Sequence, residues 1–224
     1  MRQKIQKKPE EKAVQPVQPT KRKTGIERLE PLSSRVESMV GEKEIERLLE
    51  GNRRYVEGRM EQKNLPEKNR ELLNGQHPFV TMLTCSDSRV IPSYIFDANI
   101  GDIFKVETAG NILDKVCIGS IEYGVGHLHT PLLVVLAHTK CGAVTAACSE
   151  GHAEGNLAAV IKKIKPAAKK AENNVDKAID INAKMVIDEL LRKSEIVRKA
   201  AEEGKLRIVA MKYDLETMEV RLLE

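Results

Sequence analysis

Two separated segments of this chain carry side chains that bind transition metals. Cys85 opens the sequence Cys-Ser-Asp-Ser-Arg, and about fifty residues later His138 and Cys141 bracket the sequence His-Thr-Lys-Cys. Two thiolates and one imidazole are ligands that zinc prefers, and they leave one corner of its tetrahedron free. Structural zinc sites usually fill all four positions, whereas catalytic sites keep one for water or substrate. The three residues therefore favour a catalytic zinc site.

The segment that begins at Cys85 also contains an acid and a base. Asp87 is close enough in sequence to reach the same metal, where it either accepts a hydrogen bond from zinc-bound hydroxide or occupies the fourth position itself. Arg89 can pair with Asp87 through two hydrogen bonds and hold it ionised. Two other interpretations stay open. Asp87 closes a purely structural zinc site, or the cysteines are small buried residues beside a structural ion pair.

Short apolar, β-rich runs predict strands that end at these ligands. A strand over 79–84 leads into Cys85, and a strand over 132–137 leads into His138. Further strands are predicted at 103–106, 206–211 and, at an edge of the sheet, 219–222. In open α/β sheets, sites form at the carboxyl ends of the strands, so Cys85 and His138 are expected to meet there although they are distant in sequence.

Apolar residues at helical spacing predict the elements between the strands. The predicted helices cover 42–57, 67–74, 115–126, 142–148, 156–171 and 176–203. Strands that alternate with helices indicate an α/β fold with a mainly parallel central sheet flanked by helices. To this we add an N-terminal helical arm at about 42–58 and a C-terminal edge strand.

Composition limits the classes of protein to consider. The chain has 224 residues with 41% apolar and 31% charged residues, values typical of one globular domain. Residues 1–24 hold eight Lys or Arg and two Glu, so we predict a basic, disordered tail over 1–28 and a zinc domain over 29–224.

Several partners and locations are excluded by the same reasoning. Aromatic residues make up only 3% of the chain, which argues against a base-stacking nucleic-acid surface. The sequence has no apolar run long enough for a membrane span and no secretory signal. Four cysteines in such a chain indicate reduced thiols or metal ligands, and we expect a cytoplasmic location.

Taken together, the motifs resemble those of the β-class carbonic anhydrases. The resemblance covers about residues 42–224 and rests on four segments, which are Cys85–Arg89, Ala109–Asn111, Ser120–Tyr123 and His138–Gly142. It implies one Zn²⁺ per chain on Cys85, His138 and Cys141, with Asp87 and Arg89 as the catalytic dyad. It also implies reversible hydration of CO₂ to bicarbonate and a proton by zinc-bound hydroxide, since zinc lowers the pKa of bound water to about 7.

The resemblance further implies a narrow apolar substrate pocket lined by Gln76, Phe104 and Tyr123. Gly110 would allow close backbone approach beside it. Plainer interpretations are a surface turn for Gln76, core packing for the two aromatic residues and an ordinary turn for Gly110. Members of the family associate as dimers with sites near the interface. We therefore expect a homodimer or higher homo-oligomer, in which the arm contacts the partner and Gln76 serves the partner's zinc.

Two other functions remain open at this stage. The same scaffold and zinc hydroxide can hydrolyse carbon disulfide or carbonyl sulfide, and only the access route and pocket would distinguish that enzyme. A non-catalytic zinc-binding scaffold protein would use Asp87 as fourth ligand, and it would bind zinc without hydrating CO₂ at any pH.

Overall fold

The structure, a computed structural model, describes residues 39–149 and 153–224. The predicted tail, residues 1–28, lies outside the described residues. The strands are β1 (Val80–Cys85), β2 (Ile103–Thr108), β3 (Leu132–His138), β4 (Arg207–Tyr213) and β5 (Val220–Leu222). The α-helices are α1 (Glu42–Val56), α2 (Leu65–Glu71), α3 (Pro92–Ile95), α4 (Lys115–Glu122), α5 (Gly142–Cys148), α6 (Leu157–Lys170), α7 (Val175–Lys193) and α8 (Glu195–Glu202).

The strands form one sheet in the order β2-β1-β3-β4-β5. All neighbouring pairs are parallel except β4 and β5, which are antiparallel. The mainly parallel α/β fold with a C-terminal edge strand is therefore confirmed. The chain leaves β1 towards β2 and later returns to the other side of β1 as β3, so a topological switch point lies between β1 and β3.

The central strands are apolar because helices cover both faces of the sheet. Every residue of β1 and β3 is buried, which explains why both read as continuous apolar runs rather than alternating ones. Residues of α4 to α8 pack on one face, and α1 and α3 pack on the other. No helix among the described residues is long and apolar enough to cross a membrane.

Helix α1 corresponds to the predicted N-terminal arm, and it packs on the sheet of its own chain. Ile45 and Leu48 are buried in the core on that face. Asn52 ties the helix down, because its amide donates to the carbonyls of Ile95 and Met218. Its side-chain oxygen accepts from the backbone N–H of Val220. The apolar face of α1 is thus used within the chain.

Two of the predicted helices end at residues other than those predicted. The segment predicted as one helix over 176–203 is two helices, because Ser194 caps the second by accepting from the N–H of Val197. Ser194 also donates to Glu122 at 2.6 Å. The helix predicted over 115–126 ends at Glu122 and continues as one π-helical segment.

Buried ion pairs of Asp97 help to hold α1 on the sheet. Its carboxylate is fully buried and pairs with Arg54 of α1 and with Lys63. Burial by itself would raise the pKa of Asp97, but the hydrogen bonds from Lys63 and Arg54 outweigh it and lower the pKa below the usual value. A carboxyl group with a lowered pKa in the folded state stabilises the fold above the unfolded pKa of about 4, and this contribution disappears as the pH falls through the folded pKa.

We predict that Asp97→Asn lowers the free energy of unfolding by about 2–3 kcal/mol at pH 7. Urea unfolding at pH 7 and pH 3 measures the effect, and the difference from the unsubstituted protein should shrink at the lower pH. Asn tolerates the left-handed backbone that Asp97 adopts at φ 46°. Glu57→Gln, which removes an exposed pair with Arg59, is the control and should change little. An equal loss at both pH values would contradict the assigned role of the charge.

Candidate metal centre

The two ligand-bearing segments meet at the carboxyl end of the sheet. Cys85 ends β1, and His138 ends β3. Since Thr84 pairs with Leu136 in the parallel register, the ends of the two strands are aligned. The turn after β3 is held by β4, because the N–H of Thr139 donates to the carbonyl of Tyr213 at 2.9 Å. Cys141 follows this turn and caps α5.

Cys85, His138 and Cys141 form one buried cluster. Their ligand atoms all lie within 4.8 Å of one another. The two sulfur atoms are 4.0 Å apart, close to the roughly 3.8 Å that separates two sulfurs bound to one tetrahedral zinc. The spacing of the cluster therefore suits a single metal ion.

The His138 ring is oriented for metal binding. Its Nδ1 lies 2.8 Å from the carbonyl oxygen of Thr139, and because a carbonyl only accepts, Nδ1 carries the proton. The lone pair is then on Nε2, which is buried and has no hydrogen-bond partner among the described residues. A buried polar atom without a partner is costly, and a metal ion between the two sulfurs would satisfy it. The donor set fits the metal that the sequence predicts.

The two thiols differ in their affinity for a proton. The hydrogen bond from Cys141 lowers the pKa of Cys85 to about 4 against the opposing effect of burial, and the N–H of Gly110 acts in the same direction. The Cys85 thiolate and burial together raise the pKa of Cys141. A dication binds thiolates, so binding at this pair would release the proton that Cys141 retains.

Asp87 lies beside this cluster and is held by Arg89. Its Oδ1 accepts from the Nε and the backbone N–H of Arg89 at 2.9 and 3.1 Å, and its Oδ2 accepts from Nη2 at 2.8 Å. The pairing with Arg89 lowers the pKa of Asp87 to about 2. Its Oδ2 is 3.9 Å from Nε2 of His138. An ionised acceptor thus borders the three ligands while its own oxygens are engaged by Arg89.

The residues expected to line the substrate pocket fall into two places. Gly110 contacts the cluster, since its N–H donates to the sulfur of Cys85 at 3.3 Å. Phe104 pairs with Thr81 in the register of β1 and β2, four residues before Cys85 and therefore about 13 Å from it along the strand.

Two further pocket residues lie at the same amino end of β1. The ring of Tyr123 is 5.8 Å from that of Phe104 and is 47% exposed, so simple core packing does not describe it. Gln76 is exposed and precedes β1. Within one chain, then, the candidate metal ligands and the three residues expected to line the pocket occupy opposite ends of β1.

Comparison with known proteins decides the family. The family model described as carbonic anhydrase matches residues 80–220. This chain belongs to the carbonic anhydrase family. It is 35% identical over 178 residues to carbonic anhydrase 2 of Mycobacterium tuberculosis, covering 75% of this chain and 86% of that protein. It is 33% identical over 184 residues to the carbonic anhydrase of Mycolicibacterium smegmatis, covering 78% and 89%.

Solved structures place the chain within the β-class. The β-carbonic anhydrase CafA of Aspergillus fumigatus aligns with a TM-score of 0.63 at 28% identity, over 71% of this chain and 81% of that one. A tetrameric β-carbonic anhydrase of Sordaria macrospora aligns with a TM-score of 0.64 at 25% identity, over 81% and 97%. The resemblance inferred from the motifs is confirmed.

In this β-carbonic anhydrase fold, Asn111 holds the two ligand-bearing strands together. Its amide donates to the carbonyl of Leu136 in β3 at 2.6 Å and to that of Leu83 in β1 at 3.4 Å. Each carbonyl lies two residues before a metal ligand. The Ala-Gly-Asn motif is recognisable in the sequence, but it predicts no role for Asn111. Nothing in the sequence shows that this amide is buried between two apolar strands, where it needs hydrogen-bond partners.

Two substitutions of Asn111 should separate the stability that comes from its hydrogen bonds to β1 and β3, here called the Asn111 clamp, from the cost of its left-handed backbone. Asn111 has a left-handed φ of 57°, which Gly accepts freely and Ala resists. We predict that Asn111→Gly lowers the free energy of unfolding by about 1–2 kcal/mol through the lost hydrogen bonds. Asn111→Ala should lower it by about 1 kcal/mol more. Urea unfolding measures both, and a Gly variant as stable as the unsubstituted protein would rule out the clamp.

Proposed function

We propose that this chain hydrates CO₂ reversibly to bicarbonate and a proton, with one Zn²⁺ bound by Cys85, His138 and Cys141. The observation that carries the proposal is the buried cluster with an unpaired Nε2, beside a carboxylate held by Arg89. Membership of the carbonic anhydrase family supports the same reaction. Zinc, when bound, supplies a nucleophile at neutral pH by lowering the pKa of bound water.

Asp87 and Arg89 would control the fourth position around the metal. Arg89 occupies both carboxylate oxygens of Asp87 through its guanidinium, so Asp87 stays ionised and is kept from becoming a ligand. The Oδ2 of Asp87 is then an acceptor beside the ligands, where it can orient a hydrogen-bond donor. This arrangement favours catalysis over the closed, non-catalytic site in which Asp87 binds the metal.

A homo-oligomer would bring the pocket residues to the metal. Strand β2 is at an edge of the sheet, and beside it Val116 of α4 and Tyr123 are 77% and 47% exposed. An open strand edge with exposed apolar neighbours is typical of a surface that binds another chain. We propose a homodimer or higher homo-oligomer in which Gln76, Phe104 and Tyr123 of one subunit line the partner's zinc pocket. The tetrameric assembly of the Sordaria macrospora relatives supports association.

Stopped-flow CO₂ hydration with measured zinc content tests the reaction. We predict that Asp87→Ala retains zinc but lowers kcat about 100-fold or more, because a positioned acceptor beside the reacting group is lost. Glu203→Ala removes an exposed carboxylate that pairs with Lys205 and should retain full activity. An unsubstituted protein that carries one zinc per chain and hydrates no CO₂ at alkaline pH would rule out the proposed function. Carbonyl sulfide assayed in parallel distinguishes the related hydrolase.

Mixed dimers test which subunit each Gln76 serves. Cys85→Ser should remove zinc and activity, and Gln76→Ala should retain zinc but lose about tenfold or more in rate if Gln76 stabilises the reacting oxygen. A mixed dimer with Cys85→Ser in one subunit and Gln76→Ala in the other can be isolated with two affinity tags. Its one zinc lies in the Gln76→Ala subunit. That site is complete only if Gln76 of the other subunit acts across the interface. We predict turnover per zinc near that of the unsubstituted enzyme. Turnover equal to that of the Gln76→Ala homodimer would place Gln76 at its own zinc.

A further inference from the structure

Gly110 lies outside the segments that carry the candidate ligands, yet its backbone contacts a ligand sulfur. Its N–H donates to the sulfur of Cys85 at 3.3 Å. Gly110 adopts a left-handed backbone at φ 67°, and a Cβ there would lie 2.5 Å from Ile164 and 3.1 Å from Ala143. Only glycine fits, yet glycine is also the residue whose backbone is least restrained by itself. The direction of this N–H therefore depends on groups that hold Gly110 from outside.

One such group is the side chain of Asn182. Its amide donates to the carbonyl oxygen of Gly110 at 2.9 Å, and the contact is buried. The carbonyl and the N–H of Gly110 are separated only by the φ and ψ rotations of that residue. A donor fixed on the carbonyl thus limits the rotations that would turn the N–H away from Cys85. The next residue, Asn111, is held to β1 and β3 by its own side chain, so neighbouring contacts also fix the turn.

The position of Asn182 in its helix is hard to explain by helix stability. It lies in the middle of α7 on the face that buries Ile179, Ala183 and Val186, and it is only 6% exposed. Asn is a poor helix former compared with Leu or Ala, and burying an amide is costly unless it is hydrogen-bonded. An apolar residue would pack at this position at lower cost. The contact with Gly110 is what the amide provides.

We propose that Asn182 is a positioning residue for the metal centre, which fixes Gly110 so that its N–H donates to the Cys85 sulfur that binds the metal. This inference rests on the proposed metal site and extends it to a helix that carries no ligand. Hydrogen bonds to a ligand sulfur stabilise the thiolate and tune the electron density that it gives to the metal. Partners that orient ligands from outside typically change metal affinity or activity 10–100-fold when removed.

Cobalt binding tests the proposal without relying on turnover. Apo-protein titrated with Co²⁺ reports the sulfur-to-cobalt charge-transfer absorption, and competition with a chelator gives the dissociation constant. We expect Asn182→Leu, which removes the donor, to raise the Co²⁺ dissociation constant about tenfold and to shift the charge-transfer band. Asn182→Asp, which keeps the shape but replaces the donor by an acceptor, should do the same.

Val186→Ala is the matched control. It lies one turn further on the same face of α7 and is buried, so it weakens packing without touching Gly110. It should lower the thermal midpoint but leave the Co²⁺ affinity and spectrum unchanged. Unchanged cobalt binding in both Asn182 variants, or an equal loss in Val186→Ala, would overturn the proposal.

Hydrogen exchange extends the test to the unsubstituted protein, which covers the case that neither Asn182 variant folds. The Gly110 amide should exchange slowly in the metal-loaded protein, and fast exchange would also overturn the proposal. A protein that binds Co²⁺ as expected but hydrates no CO₂ with zinc would rule out the proposed reaction and leave the role of Asn182 intact.

Discussion

The parallel pairing of β1 with β3 is the interaction on which the rest of the structure depends. The two strands are aligned so that Thr84 faces Leu136, and each ends in a residue of the candidate metal cluster. A one-residue slip would turn every side chain to the opposite face. There it would meet a differently shaped and closely packed layer of helices, so the register cannot shift without disrupting the packing on both faces. The metal centre thus takes its precision from burial on both sides of the sheet rather than from its own loops.

Much of this arrangement follows from local sequence patterns. Apolar runs that lead into Cys85 and His138 predicted two buried parallel strands and their shared edge. The motifs around them predicted the family and the residues that meet at this edge. These features depend on contacts near in sequence or on a sheet rule that admits few alternatives. The helix break at Ser194 was missed, because a serine within a periodic apolar pattern does not reveal whether it caps a new helix.

The contacts that support the ligands from a distance could not be read from the sequence. Asn111 and Asn182 act through backbone carbonyls of residues up to 72 positions away, and neither has a spacing that identifies its partner. Both are single buried amides among apolar residues. In the folded chain, their amides donate to the carbonyls of Leu83, Leu136 and Gly110, close to Cys85. Their importance is visible only in the folded chain, where each amide is buried and hydrogen-bonded beside the candidate metal site.

The opposite placement of ligands and aromatic pocket residues along β1 has a consequence for how such an enzyme responds to its own concentration. In the proposed assembly a separated subunit contains all of its own candidate ligands but lacks the wall that its neighbour supplies. Subunit association is governed by mass action, so the rate per zinc would fall on dilution below the dissociation constant of the interface. The amount of enzyme present would then determine its specific activity as well as its total activity.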